Sequence, residues 1–210
     1  MVNFVDVASI AGFLAVGFAG LFIVVRRREA FEHPAERWPY AMFFLGVALT
    51  AAGSAYYHLA PDNERLFWDR LPMTIAFMSL ISAQVVDRIS VRAGLRLLVP
   101  MLLAGAASAV YWIVTERTGS GNVMPYVVLQ AYAVVALLLL AVLHPSRYTR
   151  GTDIYWVFAG YVAAKVLELM DRGVFDTLGV VSGHSLKHLV AALAALVVCR
   201  MLLLRRLSMN

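Results

Sequence analysis

The sequence predicts an all-α membrane protein, folded as one seven-transmembrane-helix bundle over residues 1–210. Hydrophobic residues make up 61% of the chain and charged residues only 15%, whereas a soluble globular domain is about 45–50% apolar. The apolar residues also gather into seven runs, most of them close to the roughly 20 residues that a membrane helix needs. Short connections between the runs favour a compact up-and-down arrangement.

The first and last runs carry residues that indicate how each segment is used. Basic residues follow the first run but do not precede it, so we interpret it as a retained helix and not a cleaved signal peptide. The only cysteine, Cys199, lies in the last run, which excludes an intramolecular disulfide and indicates a small packing residue. The predicted spans are 5–25, 38–60, 67–86, 95–115, 124–143, 154–170 and 184–204.

The basic residues predict an orientation. The connections after the first, third and fifth runs and the C-terminal end together carry twelve arginines, against four on the opposite side. Because basic connections remain in the cytoplasm, we expect the N-terminus outside and the C-terminus in the cytoplasm. Basic residues placed between apolar runs indicate topology and not nucleic-acid binding. The short chain and compact loops look bacterial, which suggests the inner (plasma) membrane.

Five polar residues are then expected at one depth, near the outer face. His184 and His188 begin the last run and, four residues apart, lie on one face of a helix. His58 ends the second run, with Ser54 one turn deeper, and Asp69 lies near the start of the third run. Ionisable residues in membrane spans are rare and mark function by default.

These residue types indicate metal-assisted hydrolysis. Three histidines with an open fourth position are typical of catalytic zinc, which lowers the pKa of a bound water toward about 7. Asp69 would bind that water or act as its base, and Ser54 would donate to a substrate carbonyl that becomes an oxyanion. Structural alternatives remain: Ser54 as a packing serine, Asp69 as a helix cap or a partner of Arg70, and His58 as an interfacial residue.

The sixth run contributes a second polar group. Its members fall within a stripe about 120° wide, which should face the bundle interior. Lys187, between the two histidines of the last run, is expected to meet Glu168. Two interpretations stay open: buried ion pairs that fix the helices, or residues that orient the metal ligands or bind a lipid head group. The stripe consists of Tyr161, Lys165, Glu168, Asp171 and Arg172.

The remaining two histidines fall on the predicted cytoplasmic side. His33 lies in the charged connection after the first run, and His144 ends the fifth run. Neither is expected to reach the proposed site, so we interpret both as surface residues.

The five-residue pattern resembles the CREST superfamily. This group includes the alkaline ceramidases, the progestin and adiponectin receptor family with the hemolysin III-like proteins, and the Per1-type proteins. The resemblance rests on Ser54-x-x-x-His58, on Asp69 eleven residues later, and on His184-x-x-x-His188 in the last of seven helices. It implies a seven-helix bundle in which the three histidines hold zinc, while Asp69 and Ser54 position the water and the substrate carbonyl.

The resemblance is strongest to the alkaline ceramidases, which hydrolyse the amide of a sphingolipid. Those enzymes carry an acidic, tryptophan-containing calcium site before their first helix, whereas residues 1–6 here read Met-Val-Asn-Phe-Val-Asp. We therefore do not carry that calcium site over to this chain.

The sequence thus predicts a zinc-dependent intramembrane hydrolase that cleaves an amide (or ester) bond of a membrane lipid. One alternative is a lipid-binding receptor with structural zinc, which would bind lipid without forming products. Another is an ion-coupled transporter that uses the charges of the sixth run. The transporter is less favoured because the sequence has no interrupted spans in two corresponding halves.

Overall fold

A computed structural model describes residues 4–208, with side chains for residues 9–208. Residues 1–3, part of the segment compared above with a calcium site, lie outside the described range. The all-helical prediction is confirmed, and the described residues form no β-strand beyond one isolated bridge between Tyr148 and Leu207. The α-helices are α1 (Phe4–Arg26), α2 (Arg37–Leu59), α3 (Asn63–Arg88), α4 (Val91–Arg117), α5 (Met124–Leu143), α6 (Asp153–Leu169), α7 (Asp171–Leu178) and α8 (Gly183–Leu204). Two 3-10 turns, Arg28–Ala30 and Pro34–Glu36, join α1 to α2.

Within residues 4–208, five helical segments are long and apolar enough to cross a membrane, which indicates an integral membrane protein. The other two long helices, α3 and α6, do not combine the required length and hydropathy. Charged residues at both ends of α3 lower its hydropathy, and α6 has only 17 residues because the chain turns at Met170. The five segments are Ser9–Arg26, Pro34–Leu59, Val91–Arg117, Met124–Leu143 and Gly183–Leu204.

The helix α7 was not predicted. It is amphipathic and lies between the sixth and seventh apolar runs, where the sequence suggested only a connection. Its end is fixed by Gly179, whose positive φ of 71° suits a residue without a side chain. As a consequence, Asp171 begins α7 and does not continue α6.

The bundle is centred on α2 and α3, which pack against each other, while α8 packs against both α1 and α6. The hydrophobic core lies between α1, α2, α3 and α8 and includes the fully buried Phe44, Met78, Val198 and Leu202. Small residues allow the close approach expected of membrane helices. A Cβ atom on Gly17, for example, would lie 2.7 Å from the backbone of Ala48.

The connections at both bundle ends bring helix termini together. The end of α2 and the starts of α3 and α8 meet at one end, which we call the histidine end because His58, His184 and His188 lie there. The end of α3, the connection between α5 and α6, and the end of α8 meet at the other. His33 and His144 are exposed, and the backbone carbonyl of His144 accepts a hydrogen bond from Arg88 at that second end.

A buried ion pair fixes this second end. Arg205 is only 2% exposed and donates to Asp87 Oδ2 at 2.8 Å and to the carbonyl of Ala30 at 2.8 Å. Asp87 also accepts the hydroxyl of Tyr40 at 2.5 Å. The sequence counts Arg205 as one more charge beside the membrane, but the structure encloses it with partners from α2, α3 and the connections after α1 and α5. Its guanidinium group lies over the rings of Phe31, Tyr40 and Tyr148.

Tyr148 extends this network to the connection between α5 and α6. Burial and a hydrogen bond to Glu36 raise the pKa of Tyr148 above its usual range, so its hydroxyl remains a donor at neutral pH. The neighbouring Thr149 N–H donates to the carbonyl of Arg206 at 2.8 Å. The segment after α8 is therefore held in place by backbone and side-chain contacts.

Replacing Arg205 by Met is expected to lower the free energy of unfolding by about 3–5 kcal/mol, because Asp87 then stays buried without its cation. Thermal unfolding in a neutral detergent measures the effect. Arg206→Met is the matched control, since Arg206 is exposed and surface changes usually stay within about 0.5 kcal/mol. Equal unfolding midpoints for the two variants would contradict a stabilising pair.

Candidate metal centre

Three histidine rings converge at the histidine end of the bundle. His58 lies in the last turn of α2, and His184 and His188 lie in the first two turns of α8. One ligand nitrogen from each ring lies within 4.8 Å of the others. His58 Nε2 and His184 Nε2 lie 3.0 Å apart. The three histidines that the sequence proposed as ligands are therefore brought together and form a group able to hold a metal ion.

The geometry of this group fits a transition metal. Two nitrogens bound tetrahedrally to one zinc ion at about 2.0–2.1 Å lie about 3.3 Å apart. The His58 and His184 nitrogens are 3.0 Å apart, and one nitrogen of each ring lies within 4.8 Å of the others, so small ring rotations suffice. Imidazole nitrogen suits zinc, copper, iron and nickel. The residues that would hold the ion are His58, His184 and His188.

A serine of α1 holds one of these rings. His188 is 7% exposed, and its Nδ1 lies 3.0 Å from Ser9 Oγ. A histidine that binds metal through one ring nitrogen usually donates the other N–H to an acceptor, which fixes the orientation of the ring. Ser9 is well placed to be that acceptor, leaving Nε2 for a ligand. The edge of the His188 ring also packs against Phe13.

Ser9→Ala is expected to weaken metal binding about 10–100-fold, the usual effect of losing such a hydrogen-bond partner. Competition with a chelator of known affinity measures the change. The control is Ser79→Ala, since Ser79 is also fully buried but donates to its own helix at the carbonyl of Ile75. Equal metal affinity in the Ser9 variant and the parent protein would contradict a positioning role for Ser9.

The start of α8 is fixed by two contacts. Ser182 accepts a hydrogen bond from the N–H of Ser185 and so caps the helix. Asp171 Oδ1 accepts the N–H of His184 at 2.7 Å. Gly183 makes this possible, because a Cβ atom there would lie 2.2 Å from the carbonyl oxygen of Leu167. Asp171, predicted to be part of a stripe on the sixth run, thus contacts the backbone of a histidine that could bind metal.

Asp69 and Ser54 form a pair beside the histidines. Ser54 is 2% exposed, and Asp69 lies next to it across the helix contact, since a Cβ atom on the preceding Gly53 would lie 3.1 Å from Asp69 Cα. Helices α2 and α3 touch here because Gly53 has no side chain: a Cβ atom would lie 2.0 Å from the carbonyl oxygen of Trp68. A serine has a single O–H, so Ser54 can donate either to Asp69 or to a substrate oxygen, but not to both at once.

The structure disfavours both structural alternatives for Asp69. The cap of α3 is Asp62, whose Oδ1 accepts the N–H of Arg65 at 2.7 Å. No ion pair between Asp69 and Arg70 occurs among residues 9–208, although the two charges do interact electrostatically. Asp69 therefore neither caps α3 nor closes an ion pair with its neighbour.

A charged network adjoins this pair. Glu168 accepts Lys165 Nζ at 2.7 Å from its own helix and Lys187 Nζ at 2.6 Å from α8. The network joins α6 to α8, but it is only partly enclosed: the Lys165 side chain is 49% exposed and that of Lys187 19%. Charges on Lys187 and Glu168 also act on Asp69. The network is thus continuous with the candidate site.

The other members of the predicted stripe are more dispersed. Tyr161 packs edge-on against Phe77 of α3, with ring centroids 5.6 Å apart. Arg172 is exposed on α7. The expectation that the whole stripe faces the bundle interior is wrong for Lys165 and Arg172. The chain turns after Leu169, so the periodicity of one straight helix does not apply beyond it.

Ser9 is the site residue that the sequence interpretation missed. A single serine in an apolar run is usually a packing residue, and no motif links it to a histidine 179 positions away. The available signal was depth: the predicted topology places the start of the first run at the same end as the histidines.

Comparison of the sequence with models of known families and with curated proteins found no match.

Proposed function

We propose that this protein is a zinc-dependent hydrolase that cleaves an amide or ester bond of a membrane lipid within the bilayer. The observation that carries the proposal is the convergence of three histidine rings, with Ser54 and Asp69 next to each other where α2 and α3 touch. The same five residues carry the resemblance to the CREST superfamily and its alkaline ceramidases. Three histidines and a nearby carboxylate are the parts that hydrolytic metal sites require.

The proposal includes seven membrane crossings, with α3 and α6 crossing as well as the five most apolar segments. Helix α3 need not be wholly apolar, because its polar residues near the histidine end contact other helices. The arginine distribution then places the N-terminus and the metal centre on the extracytoplasmic side. The membrane would be the inner (plasma) membrane of a bacterium.

Each residue has a stated role in this mechanism. His58, His184 and His188 would hold the ion, which would supply Lewis-acid activation of a water molecule. The Asp69 carboxylate takes the proton from the attacking water and returns it to the leaving nitrogen or oxygen. Ser54 holds Asp69 in position and, after its O–H rotates, donates to the oxyanion.

The surroundings favour lipid as the substrate. The site lies at one end of an apolar bundle, so a lipid head group would meet the polar residues while its chains remain among apolar side chains.

Lys187 and Glu168 bind each other between α6 and α8 and hold the start of α8, with its two histidines, against α6.

Incubation with a panel of N-acyl and O-acyl lipids, read by mass spectrometry, tests the proposal. We expect release of a free fatty acid from at least one lipid class, and loss of that product in His58→Ala and Asp69→Ala. Product that persists in both variants would contradict the mechanism. Bound metal and bound lipid without any product would instead indicate a receptor with a structural metal.

A further inference from the structure

Arg70, which immediately follows Asp69 on α3, is held in an unusual way. Its guanidinium group lies 4.2 Å from the centroid of the Trp112 ring and 5.3 Å from that of Tyr126. These rings come from α4 and α5 and are only 3% and 5% exposed. Gln130 donates to the Tyr126 hydroxyl at 2.7 Å and so fixes that ring. Arg70 is therefore positioned by rigid aromatic groups from two other helices.

Arg70 also lacks an anionic partner. Among residues 9–208, no carboxylate lies within 4.0 Å of its guanidinium group, and no protein acceptor takes a hydrogen bond from it. Two other arginines at the histidine end do have such partners: Arg65 pairs with Asp62, and Arg117 pairs with Glu64. Arginine presents five N–H donors in a planar fork that matches carboxylates and phosphates. An unpaired arginine within a membrane protein calls for a partner from outside the chain.

The position of Arg70 relates it to the candidate site. Asp69 and Arg70 interact electrostatically, and Tyr126 interacts with both of them as well as with Tyr161 and Glu168. Asp69, Arg70, Tyr126 and Glu168 are therefore near enough, across α3, α5 and α6, for their charges to act on one another. Glu168 is already neutralised by two lysines. Arg70 is thus the cation of this region that retains its donors for a ligand.

We propose that Arg70 binds an anionic group, a carboxylate, phosphate or sulfonate, in the head of the lipid substrate. This inference rests on the proposed hydrolase function and narrows its substrates to lipids with a negatively charged head group. The aromatic rings orient the guanidinium fork, and the bound anion supplies the partner that the protein does not.

Two lipids with the same acyl chain and the same amide bond test the proposal. N-oleoylglycine ends in a carboxylate, and N-oleoylethanolamine ends in a neutral hydroxyl. Binding of each is measured in the cold by calorimetry in a neutral detergent, and recovery of intact lipid is checked by mass spectrometry. We expect the parent protein to bind N-oleoylglycine about 10–100-fold more tightly, the range for hydrogen bonds to charged groups. Arg70→Gln should remove that preference.

Arg65→Gln is the matched control. Arg65 lies on the same helix and also stacks on a ring, that of Tyr56 at 4.9 Å, but it has a carboxylate partner in Asp62. This variant should keep the preference for the anionic lipid. Arg70→Lys keeps the charge and loses the fork, so we expect an intermediate preference. It replaces Arg70→Gln as the test if that variant fails to elute as a folded protein.

Sodium phosphate distinguishes the possible sources of the anion. Competition between inorganic phosphate and N-oleoylglycine would indicate that Arg70 recognises the anion by itself. Lack of competition, with the Arg70 dependence intact, would indicate a head group that binds only with its lipid chain. Equal affinity of the parent protein for both lipids, or an unchanged preference in Arg70→Gln, would overturn the proposal.

The outcome is separable from that of the proposed function. An Arg70-dependent preference without any hydrolysis would support the anion site and contradict the hydrolase. Hydrolysis of both lipids at equal affinity, unchanged by Arg70→Gln, would support the hydrolase and contradict the anion site.

Discussion

Asp69→Asn is expected to lower the rate of lipid hydrolysis about 10²–10⁴-fold, the usual contribution of a positioned general acid–base group. The substitution keeps the size of the side chain and its ability to contact Ser54, but it removes the oxygen that accepts a proton from water. Metal content should stay at the level of the parent protein, since the three histidines are unchanged. Initial rates of fatty acid release, measured by mass spectrometry, give the effect.

The control for this variant is Asp176→Asn, which makes the same change on the exposed face of α7. It should hydrolyse lipid at the rate of the parent protein. A comparable rate in Asp69→Asn would remove Asp69 from the mechanism. Loss of metal together with loss of rate would show that Asp69 acts on the metal centre and not on the proton.

His184→Ala is expected to weaken metal binding by more than about 100-fold, beyond the 10–100-fold range seen when only a hydrogen-bond partner of a ligand is removed. The reason is that only two of the three histidines remain, and the pair of nitrogens 3.0 Å apart that joins His58 to His184 is lost. The metal-to-protein ratio after dialysis measures the result.

The control for metal loss is His144→Ala, because His144 is exposed and lies at the opposite end of the bundle. It should keep the metal content of the parent protein. Equal metal content in His184→Ala and His144→Ala would show that the ion, if any, binds elsewhere.

Much of this arrangement could be predicted from the sequence, because helices impose strict geometry. The apolar runs located the long helices to within a few residues, and the spacing of His184 and His188 placed both on one face. An up-and-down order then brought the end of the second run and the start of the last run to the same end of the bundle. Placing these two helix ends together requires only the number of connections between the helices, not the detailed contacts that the connections make.

Other features depend on contacts that no run of sequence reveals. Ser9 reads as a packing serine until the structure shows its hydroxyl beside His188. From the sequence alone, Arg205 counts only as a charge that sets the membrane orientation. In the structure, Asp87 and three aromatic rings enclose it. The sequence offers Arg70 as one possible partner of Asp69, but the guanidinium group of Arg70 lies against the Trp112 ring instead.

Two glycines explain how the site residues come so close. Gly53 precedes Ser54, and Gly183 precedes His184, and at each the backbone of another helix occupies the space of a side chain. The sequence shows both glycines, but in membrane helices glycine is common. Only the contacts with Trp68 and Leu167 show which glycines position the site.

Metal analysis of the purified parent protein, prepared without added metal and without chelators, tests the central claim most directly. We expect about one zinc ion per chain, bound by three histidines with an open fourth position. A protein that is folded and contains no transition metal, and that takes up none when zinc is supplied, would contradict it.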